Sequence, residues 1–189
     1  MLKNQKKINN NKRLPMKLLQ LTALLLITIL PTAAFSMSLK VGDLAPDFTL
    51  QATDGKTYTL EQFKGKQAIV IAWFPMAYTR GCTIECKSLV ENGHLIKKYD
   101  VTYFMASVDP IDENRGFANK HQADFPLLSD PEKTTAKAFD VLNLFGVAKR
   151  ITFYIGVDGK ILAIDDDVTP KSSAQDMATN LGRLGVTLR

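Results

Sequence analysis

The sequence predicts an α/β fold, a mixed sheet with helices on both faces, and three observations carry that expectation. Two continuous apolar, β-branched runs, residues 68–74 (AIVIAWF) and 101–108 (VTYFMASV), read as strands buried on both faces. Helical patterns fill the segments between strands. Two hairpin signals, one near each end of the folded part, add antiparallel pairs to what is otherwise a parallel arrangement.

Taken in order, residues 48–60 (FTLQATDGKTYTL) hold two short strand-like runs around Asp54-Gly55, a dipeptide suited to a tight hairpin turn. The buried run 68–74 follows and ends at Pro75, which removes a backbone donor and fixes the start of a loop. A helix is expected over 83–99, the second buried strand over 101–108, and further helices over 112–121, 133–139 and 172–184. Residues 151–164 (ITFYIGVDGKILAI) read as a closing hairpin that turns at Asp158-Gly159. Phe104, Phe117, Phe139, Phe145 and Phe153 lie in apolar patterns and are expected in the core.

The formal net charge of +5 suggests nucleic acid until the charges are placed along the chain. Residues 1–36 carry six basic side chains and no acidic one, which leaves 18 Lys+Arg against 19 Asp+Glu in residues 37–189. The expected domain has no basic excess, so a phosphate-backbone partner is not indicated. The basic leader runs into the apolar stretch 18–30, then Pro31 and the small-residue run TAAFS. Thirteen residues make a helix of about 20 Å, short of the roughly 30 Å hydrocarbon core. Basic, apolar, small is the order of a secretory signal peptide over 1–36, with cleavage before Met37 and a possible true start at Met16. An uncleaved membrane tether is the rival reading. Either way residues 37–189 are expected to form one domain facing an oxidising space, the periplasm, and the membrane enters only through this leader.

Cys82 and Cys86 are the only cysteines, in the stretch WFPMAYTRGCTIECKSL. A structural disulfide is a weak account, because 46% hydrophobic residues supply a core and a five-residue loop gives little entropic stabilisation. Cys82 falls just after a buried strand and at the first turn of the helix expected from Thr83. Unpaired amides and a partial positive charge at a helix N-terminus favour thiolate, the nucleophilic form. Thr79 places a hydroxyl three residues before the sulfur. Arg80 is read as a solvated loop cation. Positions 82, 86, 89, 93 and 96 share one helical stripe, so Cys86 is either a core side chain or a partner thiol. Side chains at i and i+4 keep Cβ atoms about 5–6 Å apart, whereas a disulfide requires about 3.8 Å. A Cys82–Cys86 bridge therefore requires the first turn to unwind.

The segment PMAYTRGC, with Pro75, Thr79 and Cys82, is similar to the P-x-x-x-T-x-x-C signature of peroxiredoxins. VGDLAPDFTL, CTIE, FPLLSDPEK and KRITFYIGVDGKI extend the resemblance over nearly all of the chain after Met37, nearest to the bacterioferritin-comigratory (PrxQ-like) class. The resemblance implies a thioredoxin-like fold and a thiol-dependent peroxidase acting on hydrogen peroxide and organic hydroperoxides. It makes Cys82 the peroxidatic thiolate, oxidised to a sulfenic acid. It makes Thr79 the residue that orients the peroxide, Pro75 the shield of the thiolate, and Arg150 the cation that stabilises thiolate and developing oxyanion. Cys86 is the candidate resolving cysteine, with a one-cysteine mechanism using an external thiol as its rival, since members of this class that resolve from this helix carry the thiol five residues after the first, where this chain has Lys87. Arg80 stands where close relatives often have proline. The implied partners are a peroxide and a thioredoxin-like or other thiol reductant, with no cofactor or metal and a monomer or weak dimer.

C-x-x-x-C also resembles the exported Sco copper chaperones, the alternative reading, since two thiolates suit Cu(I). That family supplies a histidine ligand where this chain has Arg150. His94 and His121 are expected at the surface, as is the Asp165–Asp167 run.

Overall fold

The computed structural model describes residues 38–189, so the leader expected over 1–36 lies outside the described residues. In chain order the elements are β1 (Thr49–Ala52), β2 (Thr57–Thr59), β3 (Ala68–Trp73), α1 (Arg80–Ile96), β4 (Val101–Ser107), α2 (Ile111–His121), β5 (Leu127–Ser129), α3 (Thr134–Ala138), β6 (Ile151–Ile155), β7 (Ile161–Asp165) and α4 (Ser173–Arg183). They form a mixed seven-stranded sheet in the order β2-β1-β5-β4-β3-β6-β7. β3 pairs parallel with β4 and antiparallel with β6, so its backbone is satisfied on both edges. Both expected hairpins form, β1 against β2 with Gly55 at φ +82° and β6 against β7 with Gly159 at φ +76°. Those left-handed turns are where glycine carries no Cβ penalty.

The period of two in β3 divides the core. Ala68, Val70, Ala72 and Phe74 face a layer made by α1, α2 and α4, and the same cluster holds Cys82, Cys86, Leu89 and Ile96. Ile69, Ile71 and Trp73 face the other side, with Leu60, Ala136 from α3, Phe139 and Phe153. Helices thus cover both faces, as the continuous apolar run required: a strand with six buried residues in a row has no solvent side. The stripe Cys82, Cys86, Leu89, Gly93 and Ile96 is buried throughout. Full burial of Leu89 or Ile96 stabilises the fold by about 2 kcal/mol each.

Four expectations are corrected. α1 starts at Arg80, not Thr83: Thr79 is the N-cap, in extended conformation, and its carbonyl accepts the Thr83 N–H at 2.9 Å. Arg80 is therefore an exposed first-turn residue, not a loop cation. β5 lies inside the stretch FPLLSDPEK, which carried no strand signal because three residues are too few to show a period. Phe145 is 90% exposed and is no core residue. It stands at the tip of a tight turn in which the Asn143 side chain accepts the Phe145 N–H at 2.8 Å and Gly146 has φ +72°. His121 is only partly at the surface, its ring edge-on to Phe117 with centroids 4.8 Å apart.

Candidate active site

The C-terminal end of β3 fixes the site. Phe74 still donates to the Ala106 carbonyl at 2.8 Å, and Pro75, half-buried, then turns the chain out of the sheet. Across the loop that follows, the Ala77 N–H donates to Asp109 Oδ2 at 2.9 Å, and the Thr79 hydroxyl donates to the Met76 carbonyl at 2.9 Å. Tyr78 between them has φ +63°, a left-handed conformation that costs a non-glycine residue roughly 1 kcal/mol. Thr79 is the cap but makes no side-chain capping bond, so its hydroxyl oxygen keeps lone pairs free beside the helix start.

Cys82 is the third residue of α1, in the turn where backbone amides lack intrahelical partners and the helix dipole is positive. It is fully buried and free, as is Cys86. Arg150, just before β6, reaches across the sheet edge, and its Nη2 donates to Cys82 Sγ at 3.2 Å. Gly81 leaves room for this, since a Cβ there would stand 3.0 Å from the same nitrogen. The other guanidinium arm pairs with the carboxylate of Glu85, which is fully buried and also accepts from Ser173 Oγ at 3.5 Å. The Arg150 side chain is only 18% exposed, so this is an ion pair largely out of water.

The sequence reading missed Glu85 and Ser173 as site residues. Glu85 had a signal, because a carboxylate three residues after Cys82 lies on the same buried face and an apolar stripe tolerates it only with a cation opposite. Ser173 had none. Of the expected residues, the fold brings Cys82 and Arg150 into direct contact and seats Thr79 as the cap of the same helix; Pro75 opens the loop. Cys86 lies one turn on, and burial pushes its thiol up to about 12. In the closed helix it is therefore a thiol at neutral pH, not an attacking thiolate.

A sulfur with a guanidinium on it, at the start of a helix on this sheet, defines a thiol-based redox protein on a thioredoxin-like fold. Comparison with known proteins says which. The model of the AhpC/TSA family matches residues 41–164. Peroxiredoxin Bcp of Escherichia coli (strain K12) is 35% identical over 136 residues, 68% of this chain and 86% of that protein. Alkyl hydroperoxide reductase E of Mycobacterium tuberculosis (strain CDC 1551 / Oshkosh) is 32% identical over 126 residues, 65% of this chain and 82% of that one. The crystal structure of peroxidoxin BcpB from Mycobacterium tuberculosis superposes with a TM-score of 0.69 at 29% identity, covering 77% of this chain and 97% of that chain. The chain belongs to the AhpC/TSA family, among its Bcp (PrxQ-like) peroxiredoxins, and is a thiol-dependent peroxidase. The copper-chaperone alternative finds no support: a fixed cation on Cys82 suits an anionic sulfur and opposes a bound copper ion.

Proposed function

We propose that Cys82 is the peroxidatic residue and Cys86 the resolving one, and that hydrogen peroxide and organic hydroperoxides are substrates. The observation that carries this is the 3.2 Å bond from Arg150 to the Cys82 sulfur at the helix start. The Cys82 thiolate attacks the terminal peroxide oxygen; an S–O bond forms, the O–O bond breaks, and the leaving hydroxide or alkoxide takes a proton. The Thr79 hydroxyl, whose hydrogen is engaged with Met76, accepts the hydrogen bond of the peroxide proton and orients it. Arg150 holds the thiolate and the charge developing on the oxygens, and Pro75 shields the sulfur from water. Exposed Met76 and Tyr78 in the same loop give the approach an apolar rim, which favours an alkyl group, and a relative named alkyl hydroperoxide reductase E supports the same substrate class.

In the second step Cys86 attacks the sulfenic sulfur, an S–S bond forms and hydroxide leaves. An external dithiol, thioredoxin-like or other, then reduces the disulfide. Since Cys86 is closed in the helix, resolution requires the first turns of α1 to unwind. One equivalent of hydrogen peroxide without added thiol is expected to give a Cys82–Cys86 disulfide by peptide mapping, with faster amide exchange over residues 82–89. The Cys86→Ser variant should hold a sulfenic acid instead. A wild-type protein that keeps its helix and a free Cys86 thiol would make Cys86 a core residue and recycling wholly external.

The pH dependence follows from burial. The closed helix keeps the Cys86 proton, while the opened one returns the thiol to its ordinary range, about 8.5. Raising the pH through that value therefore favours opening, because the open form binds fewer protons. Disulfide formation should rise with pH and go on rising above that value, because the closed form keeps its proton up to about 12; a rate that does not change with pH through that range would mean that resolution is not linked to release of the Cys86 proton.

The leader supports export, to the periplasm where the source has two membranes, with an uncleaved tether as the rival. Intact mass of the protein from its native compartment is expected to place the mature N-terminus at Met37; retention of residues 18–30 would favour the tether.

A further inference from the structure

Two adjacent loop residues are tied to the same neighbour. The Ala77 N–H is held by Asp109, in the connection between β4 and α2, and Asp109 in turn accepts Ser129 Oγ on its carbonyl at 2.6 Å. The Tyr78 ring lies on α2 itself. It meets Phe117 edge-on with centroids 5.4 Å apart, Lys120 Nζ stands 5.5 Å from its centre, and its hydroxyl rests over Gly116. Phe117 is buried and stacks on Phe74, at the end of β3. The loop that delivers Thr79 and Cys82 to α1 is thus fastened to α2, not to α1.

Two features make Tyr78 more than surface packing. Its backbone is in the left-handed region, where an aromatic residue is strained and persists only if its surroundings hold it. The residue is nevertheless 46% exposed, so the hold comes from a small contact on one side. The notch that receives the ring depends on a missing side chain: a Cβ at Gly116 would lie 2.6 Å from the tyrosine hydroxyl oxygen, but 3.9 Å from the ring carbon that bears it.

We propose that Tyr78, seated in the Gly116 notch of α2, is a positioning residue that holds the active-site loop closed for peroxide attack and must leave the notch when α1 unwinds. The inference rests on Cys82 and Cys86 being the reacting pair. While the ring is seated, Thr79 and Cys82 stay in register with Arg150, and Cys86 stays covered. When it lifts, the strain at residue 78 is released and the loop before α1 keeps only the Ala77–Asp109 bond on that side. One contact therefore sets the two half-reactions against each other.

The test uses the full chain and reads the two effects separately. Stopped-flow oxidation of Cys82 by hydrogen peroxide reports the closed form, and iodoacetamide labelling of Cys86 in the reduced protein reports opening, whether or not Cys86 resolves. Gly116→Ala introduces a better helix former and puts a methyl 2.6 Å from the Tyr78 hydroxyl, so the ring must shift from its seat. It is expected to slow Cys82 oxidation about tenfold through misplacement and to speed Cys86 labelling about tenfold through the shifted equilibrium. Tyr78→Ala should behave alike. Tyr78→Phe introduced into Gly116→Ala removes the only atom in collision and should restore both rates. The proposal is overturned if both rates fall together, if neither moves, or if the double variant fails to recover. Should Tyr78→Ala not fold, Gly116→Ala and its phenylalanine partner carry the test alone. A wild-type protein that oxidises normally at Cys82 but never forms the disulfide would sink the resolving assignment and leave these two readouts standing.

Discussion

Replacing Cys82 by serine is expected to abolish thiol-dependent peroxide reduction, a loss of at least about a thousandfold, with the fold intact. The reason is electronic. A serine hydroxyl is not ionised near neutral pH and lacks the polarisable sulfur that displaces an alkoxide from a peroxide oxygen. The substitution is otherwise mild: the side chain is buried, a hydroxyl oxygen can still accept from Arg150 Nη2, and the volume change is small. Thermal unfolding should shift by only a few degrees, in keeping with a cost of about 1 kcal/mol. Cys86 does not take over, because its thiol sits in the core and is pushed up to about 12. Steady-state peroxide consumption with a dithiol, run beside unfolding curves, checks both halves. Turnover retained in a folded Cys82→Ser protein would falsify the assignment of the nucleophile.

How far the site was legible depends on distance along the chain. Thr79 and Cys82 belong to one turn and its cap, so their placement at the same helix start is local geometry, and spacing announces it. The burial of Cys86 followed from the 82, 86, 89, 93, 96 stripe, which the fold buries throughout. Arg150 is different. It lies 68 residues from Cys82, and nothing in its surroundings says that it reaches a sulfur; only the likeness to a family pointed there. Glu85 stood beside the stripe as an unexplained buried carboxylate, and its cation was supplied by tertiary structure. Ser173, 88 residues from Glu85, could not be found by any local rule. The same limit explains the errors of fold. β5 is made a strand by its pairing with β4 and β1, not by pattern, and Phe145 lies in an apolar run that a tight turn at Gly146 points into water.

Arg150→Met is expected to have two effects of different origin, and their separation tests the role of the ion pair. The first is kinetic: Cys82 loses the donor on its sulfur, and the oxygens of the transition state lose a nearby cation. By analogy with removal of one preorganised donor, peroxide oxidation of Cys82 should slow by about a hundredfold or more. The second is structural. Glu85 is fully buried, and its remaining partner is the Ser173 hydroxyl at 3.5 Å, a long bond to a neutral group. Breaking a buried pair from one side costs roughly 3–5 kcal/mol, since the surviving charge keeps its desolvation penalty without the compensating attraction. For a domain of this size that lowers the unfolding temperature by about 10 °C. Replacing both partners removes the penalty along with the attraction, so Arg150→Met combined with Glu85→Leu should regain most of the lost stability. It should regain none of the lost rate, because the sulfur still lacks its cation. Unfolding curves and stopped-flow oxidation on the two variants distinguish the cases. If the double variant recovers the rate as well, Arg150 serves only to neutralise Glu85 and hold α1 in place. If the single variant loses neither stability nor rate, the Arg150 contacts with Glu85 and Cys82 contribute to neither the fold nor the chemistry.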